Sequence, residues 1–468
     1  MYDKTAGYLK SKGYDIKIFN LVNPKNSDGY NPLMHIQSEI DVDVIANTIV
    51  KGQTEVQNQA DPYWDDMAEM LLKALIYYLL ATRPEEEQNL ASCAELVRAA
   101  NNNGAGNLLT ELMNQLPYDH PARMNYKSIE IAPEKTYSSI LSSLQSKLGK
   151  FDSKDIAELT STNTIDFEEI GSKKTAVFVI SSDTHAAYDF LLTIFFSQMI
   201  QRLYDFADIK GGALPQPTYF ILDEFANIGK IPDFDKKIST SRSRKISFSV
   251  ILQNLDQLEA VYEKSHETII GNCDTTLFLG SNSQKTVEYF SKELGEKTIN
   301  RDSWSVSKDK HMWRQGYNKQ DQVMARALMT PDELRRLDND LCIIFEKGIK
   351  PIKAPKYYYF KYDTIKLVNR FACSHNDIDP IDRGKWRKYN PYNPYIEETE
   401  EQKENTKIDS LDDLFEDEKP ETNTENNDLL SNDMLDTNDN KEEVLTYDIQ
   451  KELEAKFDEL FGALEDND

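Results

Sequence analysis

The sequence predicts an α/β fold: a parallel sheet with helices on both faces, interrupted by a block of helices and followed by a disordered acidic tail. Three observations carry this. From residue 173 onward, short β-branched and aromatic runs alternate with helix-length segments, the rhythm of strand–helix–strand units. Residues 38–172 show helical spacing and no strand pattern. From about Tyr389 the chain is dominated by Glu, Asp and Asn, which leaves too little apolar surface to offset chain entropy.

In chain order, residues 2–12 have helical spacing and stop at Gly13, and residues 15–22 alternate as a strand before Asn23-Pro24. These open a first piece, residues 1–37. The helical block, 38–172, contains periodic segments at 40–50, 64–82, 90–100, 108–116 and 138–148, punctuated by Asn101-Asn-Asn-Gly104 and Pro117. The α/β rhythm then occupies 173–389. Thr175-Ala-Val-Phe-Val-Ile180 is a continuous apolar run, as expected of a strand covered on both faces. A helix over 186–206 follows, then strands at 218–222, 246–252 and 274–279, with helical segments ending near Arg244 and spanning 255–264 and 284–294. A last strand pair is expected at 342–346 and 356–361, joined through Gly348 and Pro351. The tail is 390–468.

Charge separates the body from the tail. The 468 residues carry 80 acidic and 54 basic side chains, a net of −26. Residues 391–468 hold 27 acidic and 6 basic, a net of −21, so the remainder is close to neutral at −5. A near-neutral body can present basic patches to nucleic acid, and Lys230, Lys236, Lys237, Arg242, Arg244 and Lys245 suggest one. Cys93, Cys273, Cys342 and Cys373 lie far apart with no C-x-x-C, which argues against a disulfide framework or zinc site. No apolar run approaches the ~18 residues needed to span a bilayer. Met1-Tyr-Asp-Lys-Thr5 is no signal peptide, so a cytoplasmic setting is expected for this chain.

Chemistry concentrates in one stretch. Tyr219-Phe-Ile-Leu222 runs directly into Asp223-Glu224, four apolar residues and two carboxylates, the Walker B pattern of P-loop NTPases. Such a strand delivers its acids to the carboxyl edge of the sheet, where nucleotides bind. One carboxylate holds the water shell of Mg²⁺ and the next orients the water that attacks the γ-phosphate. Arg242 and Arg244 follow about one helix later, and the next strand ends in Gln253 at the same edge. An amide there can sense the γ-phosphate, and an arginine can neutralise transition-state charge.

Phe220-Ile-Leu-Asp-Glu-Phe-Ala-Asn-Ile-Gly-Lys-Ile-Pro232, with Ser241-Arg-Ser-Arg and Ser247-Phe-Ser-Val-Ile-Leu-Gln253, closely resembles the TraG/TraD-like type IV secretion coupling proteins, the conjugative DNA-transfer ATPases. The resemblance runs from Thr5 to about Tyr362 and includes Leu328-Met-Thr-Pro-Asp-Glu-Leu334. It implies a RecA-like P-loop NTPase-type sheet interrupted by an all-α domain. It also implies a homo-hexamer at the cytoplasmic face of the membrane, driving DNA or relaxase–DNA into a secretion channel with ATP and Mg²⁺. On that pattern Asp223 and Glu224 are the Walker B pair, Asp223 holds Mg²⁺ through water, Gln253 is the glutamine of the following motif, and Arg242 is the arginine finger, with Arg244 the alternative. Two other readings stay open: a non-catalytic adaptor fragment that binds relaxase or channel proteins, and another hexameric DNA translocase, against which the helical insertion argues.

One part of the pattern is missing. None of the 18 glycines begins a G-x-x-x-x-G-K-[ST] loop; Gly149-Lys150, Gly229-Lys230 and Gly384-Lys385 lack the upstream glycine and the Ser/Thr. The family carries its P-loop strand and membrane helices upstream of the equivalent of Met1. The expectation is a fragment or an internally initiated product, whose sheet lacks the P-loop strand and which is inactive as an ATPase by itself.

The tail repeats a motif: Leu411-Asp-Asp-Leu-Phe415 and Phe457-Asp-Glu-Leu-Phe461. A flexible linker of 41 residues separates them, with an r.m.s. span of roughly 35 Å, so both can engage one partner and gain avidity. Their acidic flanks favour a basic surface, which the resemblance identifies with a relaxase or relaxosome protein. Changing Leu414 and Phe415, or Leu460 and Phe461, to Ala is expected to weaken capture of a relaxase modestly, and changing all four to weaken it more. Unaltered binding by the fourfold variant, measured by pull-down and titration, means that the tail acts through charge alone.

Overall fold

In the computed structural model, residues 1–51, 62–101, 108–182, 188–308, 315–375, 378 and 381–392 are described. Helix α1 (Tyr2–Ser11) leads through Gly13, at φ 80°, into strand β1 (Asp15–Asn20). Helices α2 (Glu39–Lys51), α3 (Pro62–Thr82), α4 (Leu90–Asn101), α5 (Leu108–Asn114), α6 (Pro121–Glu130), α7 (Glu134–Leu148), α8 (Lys154–Ser161) and α9 (Phe167–Ser172) follow. Strand β2 (Thr175–Ile180) then returns beside β1, parallel to it, with Asp15 opposite Thr175. All of the helices between β1 and β2 are thus an excursion from one strand pair.

The chain continues as α10 (Asp189–Ile209), β3 (Thr218–Leu222), α11 (Phe234–Thr240), β4 (Ile246–Val250), α12 (Leu255–Tyr262), α13 (His266–Gly271), β5 (Thr275–Phe278) and α14 (Gln284–Leu294). A long hairpin of β6 (Glu296–Lys308) and β7 (Gln315–Ala327) precedes α15 (Pro331–Arg335), β8 (Leu341–Glu346), β9 (Ile352–Pro355) and α16 (Thr364–Arg370).

The fold is mixed rather than wholly parallel. β3 and β4 pair in parallel, as β1 and β2 do, but β5 runs antiparallel to β8, and β8 to β9. The fourth strand takes that direction because its partner arrives after a hairpin and a short helix, not after a crossover helix. The closing strand is Ile352–Pro355, not 356–361. Gly348, at φ 88°, closes a short turn, so pairing resumes at Ile352. Beyond Pro355 the rings of Tyr357 and Tyr362 stack on each other while Tyr359–Lys361 forms a 3₁₀ turn. The β6/β7 hairpin has no apolar alternation to announce it. Apart from residues 390–392, the tail lies outside the described residues.

One apolar core runs from β1 and the helical excursion into the strands of the second half. Phe19, Leu71, Leu75, Leu144, Phe195 and Phe225 all belong to it. α10 is its axis, buried from Phe190 to Ala207 on nearly every side. A polar lock crosses this core: the Tyr30 hydroxyl donates to Gln198 Oε1 at 2.5 Å, and Gln198 Nε2 donates to the Pro32 carbonyl at 3.0 Å. Residues 383–392 lie back over the helical excursion. The buried Arg383 donates to the Ser27 carbonyl at 2.8 Å, Arg387 bonds Glu86 and Glu87, and the Arg83 guanidinium sits 4.1 Å above the Tyr389 ring. β5, β8, α14 and α15 enclose a smaller core of Phe278, Val287, Phe290, Leu334 and Ile343.

His35 stacks on Phe167 at 4.1 Å, and its Nε2 bonds Asn163 Oδ1 at 2.9 Å. Burial pushes its pKa down to about 4, against an ordinary 6.5. The folded state therefore holds the ring neutral while the unfolded chain takes up a proton below pH 6.5. This contribution to stability is complete above pH 6.5 and is lost as the pH falls toward 4, at up to about 1.4 kcal/mol per pH unit. Thermal unfolding of His35→Phe, which keeps the stack, should show a smaller loss of midpoint between pH 7 and 4.5 than the parent chain. Parallel losses in the two proteins would exclude His35 as the titrating group.

Candidate active site

β3 and β4 pair with Leu222 opposite Val250, so both strands end at the same edge. Two further bonds carry the pairing past the strand ends: Ile251 N donates to the Leu222 carbonyl at 3.0 Å and Phe225 N to the Ile251 carbonyl at 3.1 Å. Asp223 and Glu224 leave β3 at this edge, and Gln253 leaves β4. The structure thus brings together three of the four residues singled out in the sequence.

Glu224 is the most constrained of them. Its backbone is left-handed, φ 49° and ψ 47°, a conformation that costs a non-glycine residue roughly 1–3 kcal/mol. Its carboxylate accepts from two amides, Gln253 Nε2 at 3.1 Å on Oε1 and Asn227 Nδ2 at 2.9 Å on Oε2. Asn227 N also donates to the Glu224 carbonyl at 2.8 Å. Glu224 is half-buried, whereas Asp223 and Gln253 are exposed. One carboxylate is held rigidly; the other is open to solvent.

The turn stands on an aromatic stack. Phe225 is fully buried, lies flat against Tyr262 at 5.5 Å and meets Phe234 at 4.8 Å; Phe234 in turn meets Phe248 at 5.2 Å. The Tyr262 hydroxyl accepts from Ile231 N at 3.1 Å. Gly229 closes the turn at φ 87° and ψ −174°, a region open essentially to glycine alone. A Cβ there would lie 2.5 Å from Thr193 Oγ1, whose hydroxyl donates to the Ile228 carbonyl. Sequence reading assigned no role to Asn227, Gly229 or Tyr262. An amide three residues after Glu224, able to reach back across one turn, was the available signal for Asn227.

The arginines sit elsewhere. Arg242–Arg244 is a 3₁₀ turn just before β4, at the amino edge of the strands. The length of β4, at ~3.3 Å per residue, separates it from Glu224 by more than 10 Å. Arg242 is exposed and forms no ion pair among the described residues. Arg244 is engaged: its guanidinium bonds Asp208 through Nε and Nη2, both at 3.1 Å, and lies 4.9 Å over the Tyr204 ring. Of the six cations expected to form a basic surface, Lys230, Arg242 and Lys245 are exposed and form no ion pair among the described residues. Arg244 and Lys236 are paired, with Asp208 and Asp233, and burial lowers the pKa of the Lys237 ammonium.

The donors at the carboxyl edge suit part of an ATP–Mg²⁺ site. Mg²⁺ keeps most of its waters and takes one or two carboxylates plus substrate phosphates, which the single exposed Asp223 can serve. No cluster of three or more His, Cys, Asp or Glu side chains able to hold a metal alone occurs among the described residues. The phosphate-binding loop has no counterpart in the sequence. Nor is any helix of the described residues long and apolar enough to cross a membrane.

Comparison with known proteins agrees with this architecture. The fold is shared with the bacterial conjugative coupling protein TrwB lacking its first 70 residues: the trigonal sulphate form superposes with a TM-score of 0.53 over 76% of this chain and 82% of that one, at 16% identity. TrwB bound to a non-hydrolysable ATP analogue gives a TM-score of 0.52 at 15% identity, over the same shares of the two chains. Protein VirD4 of Rhizobium radiobacter is 27% identical over 215 residues, 46% of this chain and 30% of that protein. A probable conjugal transfer protein TraG of Sinorhizobium fredii is 22% identical over 387 residues, 79% of this chain and 57% of that protein. The chain thus spans under a third of VirD4 and little more than half of TraG. Residues 1–377 match the family model described as type IV secretory system conjugative DNA transfer, and the chain belongs to that family.

Proposed function

We propose that this chain is the motor portion of a coupling protein that links ATP hydrolysis to the transfer of DNA, or of relaxase bound to DNA, into a type IV secretion channel. The supporting observation is the grip on Glu224 by Gln253 and Asn227 at the carboxyl edge of β3 and β4. A carboxylate oriented in this way can take the proton of an attacking water and hold that water in line. Gln253 links the Glu224 carboxylate to the end of β4, so a shift at one is felt at the other. Asp223, exposed beside it, is suited to the water shell of Mg²⁺. ATP with Mg²⁺ supplies the phosphoryl group and polarises it.

The remaining half of the nucleotide site comes from a RecA-like strand and phosphate loop outside these 468 residues. A helix following that loop has an open face of β3 to cover: Tyr219 is 72% exposed and Ile221 57%, while Phe220 and Leu222 between and beside them are buried. Arg242, at the far edge of its own strands, serves the site of a neighbouring subunit in a homo-hexameric ring. The helices between Glu39 and Ser172 form the inserted all-α domain, relaxosome and channel proteins are the partners, and an anchor outside this chain places the ring at the cytoplasmic face of the membrane.

Phosphate-release assays should find negligible ATPase activity in the 468-residue chain and Mg²⁺-dependent turnover once a segment carrying the phosphate loop precedes it. In that extended protein, Glu224→Gln is expected to lower turnover by about 10²–10⁴-fold, with binding of a fluorescent ATP analogue largely kept. Robust hydrolysis by the isolated chain would overturn the assignment. Arg242→Ala in the extended protein should also be inactive, yet regain activity when mixed with Glu224→Gln subunits, because each supplies what its neighbour lacks. No recovery in mixed rings would place the arginine in its own site or outside catalysis.

A further inference from the structure

The segment that follows β8 carries a charge pattern that the active edge does not use. Residues 347–361 contain five lysines and no acidic residue. Lys347, Lys350 and Lys353 recur every third position through the turn and β9, followed by Lys356 and Lys361. Lys347, Lys350, Lys353 and Lys361 are exposed, and none forms an ion pair among the described residues. Lys356 donates to the Leu279 carbonyl at 2.7 Å. The flanking acids are partly engaged: Asp363 pairs with Lys366 at 2.8 Å, and Asp340 accepts from the Tyr358 hydroxyl at 2.9 Å.

Aromatic rings interleave with these cations. Tyr357 is 64% exposed, Phe360 54% and Tyr362 52%. Tyr357 and Tyr362 stack with centroids 4.5 Å apart and planes within 10°, and the Tyr357 hydroxyl is tied to Thr364 Oγ1 at 2.9 Å. Lysines and prolines on an edge strand also serve to block strand addition, and β9, which among the described residues pairs with β8 alone, has both. That role needs no aromatic surface. Three rings left more than half exposed beside unpaired lysines are instead the makings of a stacking platform.

We propose that Lys347, Lys350 and Lys353, together with Tyr357, Phe360 and Tyr362, form a binding surface for single-stranded DNA. The lysines take the phosphate backbone, and unstacked bases lie on Phe360 and on the outer face of the Tyr357–Tyr362 pair. A duplex keeps its bases stacked inside and offers the rings nothing, so the surface favours a single strand. The choice of DNA rests on the DNA-transfer reading above; the location rests on this segment.

The test is fluorescence anisotropy of the full 468-residue chain with labelled dT30 and with a 30-base-pair duplex, from 50 to 200 mM NaCl. Lys347→Ala/Lys350→Ala/Lys353→Ala is expected to weaken dT30 binding at least tenfold at 50 mM and to lower the slope of log K against log salt by about 2. Phe360→Ala, at a ring whose removal leaves the Tyr357–Tyr362 stack intact, should weaken dT30 about tenfold and leave duplex binding unchanged. Lys230→Ala/Lys245→Ala, at exposed cations outside the segment, should change dT30 binding less than twofold. Parent-like dT30 binding by the triple lysine variant would overturn the site while leaving the DNA-transfer reading in place. Equal loss of duplex and dT30 with Phe360→Ala would overturn the stacking role. Failure of the parent chain to bind dT30 at 50 mM would overturn the proposal itself, whereas the transfer reading is judged by the ATPase measurements.

Discussion

The parallel pairing of β3 with β4, Leu222 opposite Val250, puts Glu224 within reach of Gln253. The two residues are far apart in sequence, and nothing but this register joins them. In a strand, a slip of one residue turns every side chain to the other face. Here it would expose Phe220 and Leu222, break the Phe220–Phe248 stack at 5.0 Å and carry Gln253 away from the carboxylate. The apolar face of the strands therefore enforces the geometry of the polar edge.

The left-handed backbone of Glu224 shows how that enforcement works. Its cost is offset by the residues that follow: Phe225 buried between Tyr262 and Phe234, and Gly229 filling a space that admits no Cβ beside Thr193. Each close aromatic pair adds roughly 0.5–1.5 kcal/mol beyond its area of burial. The stack also ties the turn to α11, β4 and α12, and Thr193 ties it to α10. A shift at the carboxylate would therefore be transmitted to the body of the molecule.

Charge is distributed on a different principle. The overall excess of acid says little about any one surface, because Arg244 and Lys236 are paired locally while Lys347, Lys350 and Lys353 are not. Counting cations along the sequence overrates the first group and passes over the second. Pairing depends on which acids the fold brings near, and Asp208 meets Arg244 although β3 and α11 lie between them in the chain.

Local chemistry sufficed for some of the molecule. Helices α2, α3, α4, α5 and α7 could be read because apolar residues at 3.6 spacing must face a core wherever that core lies, and the Asp223-Glu224 pair because an apolar strand has to end at a sheet edge. Short helices such as Lys154–Ser161 and the polar β6/β7 hairpin lack enough periods to announce themselves. What the sequence left open was every relation between segments: the direction of β5 against β8, the amides that hold Glu224, the place of Arg242 at the opposite edge from Gln253, and the freedom of the lysines after β8. Periodicity reports which way a side chain faces, whereas pairing reports what it meets. Only the packed chain decides the second, because register and burial are set by contacts between residues that the sequence holds far apart.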